Sequence, residues 1–307
     1  MRNLEQLDGI DEIVVYTKIK NALKPANKKK ITFVDASSLT VNAVCRHLKI
    51  DFAIIANETY KHIPTAITLA KKGYDLFIEK PLSHNLEKID VLEEIAHSKK
   101  IKIFIAYNLR FLPAIQLVKE QLAQKAIGDL YFAKIEMGQY LPSWRKNINY
   151  QDCYSANAAY GGGVELDLSH EIDYMRYLFG DPWRWKAVKS KASNLEINSA
   201  DIFEGIYEYR NRFICNVHMD YLQSKARRQI RIAGSAGTIE CDIFNNQLKV
   251  CSGNQESCLT DDKLFSIGDT YISELRHFIK IIQTREEPMI GVDDGKRVLQ
   301  LIGDHYV

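Results

Sequence analysis

Apolar residues follow two different rhythms along this chain. Up to about residue 106, short β-branched runs alternate with longer stretches of helical period, the signature of βαβ units and a parallel sheet. Strands are predicted over 13–16, 52–56, 75–78 and 102–106, each nearly all apolar as a strand covered on both faces should be, with a weaker one over 31–34. Helices are predicted over 61–72, ended by Gly73, and over 85–98, with Leu86, Ile89, Leu92 and Ile95 on one face. After Asn108 a helix over 113–124 is followed by period-two segments over 131–137, 185–189, 203–209, 213–219, 229–233 and 238–242, with Gly234 to Gly237 turning a hairpin. Helices over 271–284 and 295–305 close the chain.

The expected class is α/β. A Rossmann-like, doubly wound parallel sheet is expected over 1–108, and an α/β substrate-binding and oligomerisation domain with a large, mainly antiparallel open sheet over 109–307. The last helix is expected to pack back on the first domain. A dinucleotide-binding domain normally opens with a strand, a GxGxxG turn and a helix, whose amides hold the pyrophosphate. No such turn occurs here; residues 1–7 read as the last turns of a helix, with Leu4 and Leu7 three apart. The expectation is a Rossmann domain lacking its first strand and glycine loop, the alternative being a different, shorter fold.

Composition narrows the partners. The 307 residues carry 41 basic against 39 acidic side chains, a balance of +2, so nucleic acid is not the expected ligand. Runs such as Lys28 to Lys30 and Arg227 with Arg228 are too short to mark a phosphate-binding patch. No apolar stretch matches a membrane span and the first residues carry charges throughout, so a cytoplasmic location is expected. The six cysteines form no CxxC pair and are read as reduced.

Two constellations could carry chemistry. Phe77-Ile78-Glu79-Lys80-Pro81-Leu82 puts a carboxylate and an amine where a strand ends, the place where open α/β sheets bind ligands. Lys80, its pKa lowered by partial burial, could hydrogen-bond a hydroxyl and help move its proton; the bland alternative is a surface lysine beside a strand-ending proline. Farther on, Gly161-Gly162-Gly163 leads into a helix bearing Asp167 and His170, three apart and so on one face. A carboxylate there could orient an imidazole acting as acid or base, or the two could be an ordinary surface or core pair. With one histidine in the run, a metal site is not expected.

Together with Ala56-Asn57-Glu58-Thr59-Tyr60-Lys61-His62 after one strand and Tyr107-Asn108-Leu109-Arg110-Phe111 after another, these motifs resemble the Gfo/Idh/MocA family of oxidoreductases. The match runs over most of the chain, and the order of the motifs is its most specific part. The resemblance implies an NAD- or NADP-binding Rossmann domain, hydride transfer to or from a sugar, polyol or nucleotide-sugar-like substrate, and a homodimer or homotetramer. It implies that Lys80 contacts the substrate hydroxyl and the nicotinamide side of the cofactor, Asp167 positions the substrate and His170 exchanges the hydroxyl proton. Asn57, Glu58, His62, Glu79 and Asn108 would line the cofactor, and Arg110, Trp144, Arg145 and Tyr154 the substrate pocket. The family commonly separates this Asp and His by three residues, whereas only Leu168 and Ser169 intervene here, which leaves Glu171 as a reserve base. Thr17 and Lys18 end the strand that would meet the adenosine ribose; with no carboxylate there, the reading leans to NADP over NAD. The alternatives to an active enzyme are an impaired relative or fragment that does not hold dinucleotide, or a sugar-binding module.

Overall fold

The computed structural model describes residues 2–17, 30–35, 50–145 and 148–303, so Lys18 and the end of the last predicted helix lie outside the described residues. A short helix α1 (Arg2–Glu5) precedes strand β1 (Glu12–Thr17), which pairs in parallel with β2 (Lys30–Asp35). Strands β3 (Phe52–Ile55), β4 (Asp75–Glu79) and β5 (Ile103–Ala106) form a second parallel ribbon in the order β3-β4-β5. The Rossmann-like sheet is thus two ribbons, with no described strand joining β1 to β3. In a doubly wound order the first strand fills that position.

Leu76, Phe77, Ile78 and all of β5 are buried, as their unbroken apolar runs require. Helices α2 (His62–Ala70) and α3 (Ile89–Lys99) pack on each other beside the second ribbon. Helix α3 begins later than predicted because Lys88 adopts a left-handed conformation (φ 61°) just before it. Leu86 is therefore not on the buried face but 46% exposed, while Ile89 and Leu92 are fully buried.

After α4 (Pro113–Ala123), the chain builds one eight-stranded sheet in the order β13-β12-β11-β10-β6-β9-β8-β7. Its strands are β6 (Leu130–Gly138), β7 (Arg184–Ser190), β8 (Ile202–Glu208), β9 (Ile214–Asp220), β10 (Arg227–Gly234), β11 (Gly237–Asp242), β12 (Gln247–Ser252) and β13 (Gln255–Leu259). Every pairing is antiparallel except β6 with β9. The last two strands were not predicted, because β13 is exposed along its whole length and shows no apolar alternation. One face buries Ala133, Ile135, Phe203, Tyr207, Val217 and Ile230, while Val188, Ile206 and Ile214 stay exposed.

Helix α7 (Ile267–Thr284) sets the Phe278 ring 5.3 Å from Phe52 and 5.6 Å from Phe77. Helix α8 (Val292–Leu301) rests on β5; a Cβ at Gly295 would lie 2.7 Å from that of Leu82, so only glycine lets the helix come this close. Among the described residues no helix is long and apolar enough to cross a membrane.

Candidate active site

Lys80 follows the last residue of β4, and its ammonium donates to the main-chain carbonyl of Asp167. The segment carrying Asp167 reaches this position through the glycine run. A Cβ on Gly162 would collide with the carbonyl oxygens of Tyr154, Ser155 and Asn157, and Gly163 takes a φ of 137°. The single helix expected here is two: α5 (Val164–Asp167) ends at Asp167 and α6 (His170–Phe179) begins at His170. Leu168, at φ −101° and ψ 22°, makes the break.

Asp167 is buried, and its Oδ2 accepts a 2.6 Å hydrogen bond from the Tyr221 hydroxyl. Burial, reinforced by the Asp167 charge, pushes the Tyr154 phenol up. Burial drives the Lys80 ammonium down, against the opposing pull of Asp167, Glu79 and Glu171. The His170 imidazole is held well below its ordinary value by burial first, then by the charges of Lys80 and Arg228. Its Nδ1 is buried without a hydrogen-bond partner, and the ring meets Tyr107 edge-on at 5.7 Å. The site therefore presents a neutral imidazole with a free ring nitrogen, beside an amine biased toward deprotonation.

Trp144 stands edge-on to Tyr221 at 5.2 Å, its Nε1 donating to the Gln139 carbonyl at 3.1 Å. The Arg145 guanidinium lies 5.5 Å over the Tyr154 ring. Lys80, Asp167, His170, Trp144, Arg145 and Tyr154 thus converge.

Other residues singled out by sequence are engaged elsewhere. Arg110 is held in ion pairs: it grips Asp173 through Nε and Nη2, and also donates to Asp294 and to the Met289 carbonyl. Glu171 is excluded as reserve base, being fully buried and paired to Arg228 at 2.8 Å. Buried Asn108 donates to Thr270 Oγ1 at 2.7 Å. His62, also buried, lies between the carbonyls of Pro81 and Asn57 at 2.8 and 3.0 Å and ties together the loops that follow β3 and β4. Asn57 and Glu58 are exposed; Asn57 bonds Thr65, and Glu58 pairs with Lys61 at 2.9 Å. Thr17 closes β1 on the separate ribbon.

Two residues of the site escaped sequence reasoning. Tyr221 lies just beyond a predicted strand, and strand ends are where the other site residues were sought. Glu274 gave no signal, being one acidic residue within an amphipathic helix. Burial, then repulsion from Glu79, pushes its carboxyl up to about 9, and its Oε2 is buried without a partner. Glu79 is itself raised by burial.

Comparison with known proteins gives this geometry a lineage. Residues 5–107 match the oxidoreductase family with an NAD-binding Rossmann fold, and residues 115–240 match the GFO/IDH/MocA C-terminal domain. The chain belongs to the Gfo/Idh/MocA oxidoreductase family. It is 25% identical over 313 residues to the myo-inositol 2-dehydrogenase of Thermotoga maritima, covering 97% of this chain and 89% of that one. Its fold matches a levoglucosan dehydrogenase in complex with NADH and levoglucosan at a TM-score of 0.76, with 20% identity, covering 89% of this chain and 80% of that one. It also matches the WlbA dehydrogenase of Bordetella pertussis, in complex with NADH and UDP-GlcNAcA, at 0.74, with 17% identity and the same coverage of each chain.

A nicotinamide dinucleotide fits the site in part. Asn57, Glu79 and Lys80 lie at or beyond the carboxyl ends of β3 and β4, the side on which open α/β sheets bind ligands. No described residue supplies a glycine-lined cradle for the pyrophosphate.

Proposed function

We propose that this Gfo/Idh/MocA protein oxidises a secondary hydroxyl of a sugar or polyol, or reduces the matching ketone, in the cytoplasm. The observation that carries the reading is the joining of the strand-end Lys80 to Asp167, with a His170 imidazole nearby that burial and the Lys80 charge keep neutral. A bound NAD or NADP would supply the hydride acceptor, and Thr17 at the end of β1, followed in sequence by Lys18, leans to NADP. Lys80 would hold the substrate oxygen, and the His170 imidazole would take the hydroxyl proton as the C–H bond gives up its hydride; the reverse reaction returns both. Asp167, held by Tyr221, fixes the wall against which the substrate sits. The exposed face of the eight-stranded sheet would join copies into a dimer or tetramer.

The test is turnover of a panel of sugars, inositols and nucleotide sugars with both cofactors. Lys80→Ala and His170→Ala should each lower kcat by about 100-fold or more, and unchanged turnover in either variant would overturn the mechanism. A second reading, a relative that does not hold dinucleotide, is favoured by the two unjoined ribbons. Titrating NADH and NADPH fluorescence against the protein separates the two.

A further inference from the structure

Four shielded arginines of this fold each meet a carboxylate. Arg110 meets Asp173 and Asp294, Arg176 meets Asp181 and Asp294, Arg228 meets Glu171, and Arg297 meets Asp181. Arg145 is half-buried yet forms no ion pair with any described carboxylate, and its guanidinium lies over the Tyr154 ring beside the Cys153 thiol. A guanidinium cannot shed its charge, so shielding it from water without an anion costs free energy. The Asp167 charge acts on it, but that carboxylate is bonded by Tyr221 and forms no ion pair with Arg145.

Placement adds direction to this imbalance. Arg145 lies over the Tyr154 ring, and the Asp167 charge acts on both, so the guanidinium stands near the residue whose carbonyl Lys80 grips. Trp144, next in the chain, stands on Tyr221, the donor to Asp167. The planar, forked guanidinium matches a carboxylate or a phosphate and donates paired hydrogen bonds to either.

We propose that Arg145 recognises an anion on the substrate, which is then a sugar or polyol bearing a carboxylate or phosphate away from the hydroxyl that reacts. The inference rests on the oxidoreductase reading above for the identity of the reacting end. The anion fills the place that a protein carboxylate takes at the other four arginines.

A matched set of glucose, glucuronate and glucose 6-phosphate tests it, with kcat/KM measured for the full chain and binding followed by calorimetry without cofactor. One anionic member should exceed glucose by about 30-fold or more, and which one does so identifies the anion. Arg145→Ala should bring that ratio close to unity, and Arg145→Lys, which keeps the charge without the fork, should give an intermediate ratio; the lysine variant decides the matter if the alanine variant fails to fold. Equal or better use of glucose, or equal losses on all three compounds, would overturn the proposal. If none is turned over but an anionic sugar binds in an Arg145-dependent way, the anion site stands and the redox reading falls. If none binds either, the anion site is refuted.

Discussion

The Tyr221 hydroxyl donates a 2.6 Å hydrogen bond to Asp167 Oδ2, and both groups are buried. Burial, with the Asp167 charge, holds this phenol well above its ordinary value, so it remains a donor at any working pH. Tyr221→Phe removes the donor and leaves a buried carboxylate oxygen short of a partner. The expected cost is about 1–3 kcal/mol of stability, with kcat falling while KM changes little. Thermal melts and steady-state kinetics on the same preparation check this; an unchanged kcat would mean that Lys80 suffices to hold Asp167.

Arg110 lies inside a network in which Asp173 and Asp294 are its partners and Arg176 shares Asp294. Arg110→Ala strands a buried carboxylate and should cost about 3–5 kcal/mol. The signature is a large fall in Tm together with loss of folded protein. A raised KM at unchanged Tm would instead return Arg110 to the substrate pocket.

Glu274 gives the fold a pH dependence. Its folded-state pKa, about 9, is raised from the ordinary 4.5, so the protonated carboxyl is compatible with burial and the charged form is not. The stability that it contributes is fully present below about pH 4.5 and is lost as pH rises toward 9. Glu274→Gln, which mimics the neutral acid, should flatten the decline in Tm between those limits. Parallel Tm–pH curves for the two proteins would show that the carboxyl ionises unhindered.

The open sheet face offers a test of assembly. Ile206 is 50% exposed and lies between Lys186 on β7 and Asn216 on β9, with Val188 and Ile214 exposed on the same sheet. Ile206→Lys should shift the mass measured by light scattering to a smaller species while the melting profile of the monomer persists. No change in mass would place the oligomer interface elsewhere.

Sequence made the parallel ribbons legible because β4 and β5 are unbroken apolar runs, and it made the site legible because Lys80 and Asp167 stand at a strand end and after a glycine run. It failed where the evidence was tertiary. The pattern Asn-x-Arg-Phe cannot reveal that Arg110 faces Asp173, since that partner lies 63 residues away. Nor could a spacing of three show that Leu168 splits the helix between Asp167 and His170. Leu86 fitted a helical stripe, but the left-handed Lys88 cut it off from the helix. The edge strands β12 and β13 stayed hidden because a strand that buries little has little apolar rhythm to read.

Gly162 has a bearing on how this enzyme could be re-engineered. Three carbonyls of the preceding segment close around its α-carbon so tightly that a methyl group has nowhere to go. Close packing there ties the end of the preceding stretch to the run that leads to Asp167. New specificities should come from exchanging the side chains along that stretch, Trp144, Arg145 and Tyr154 first, whereas grafted loops of other lengths would pull Asp167 off its mark.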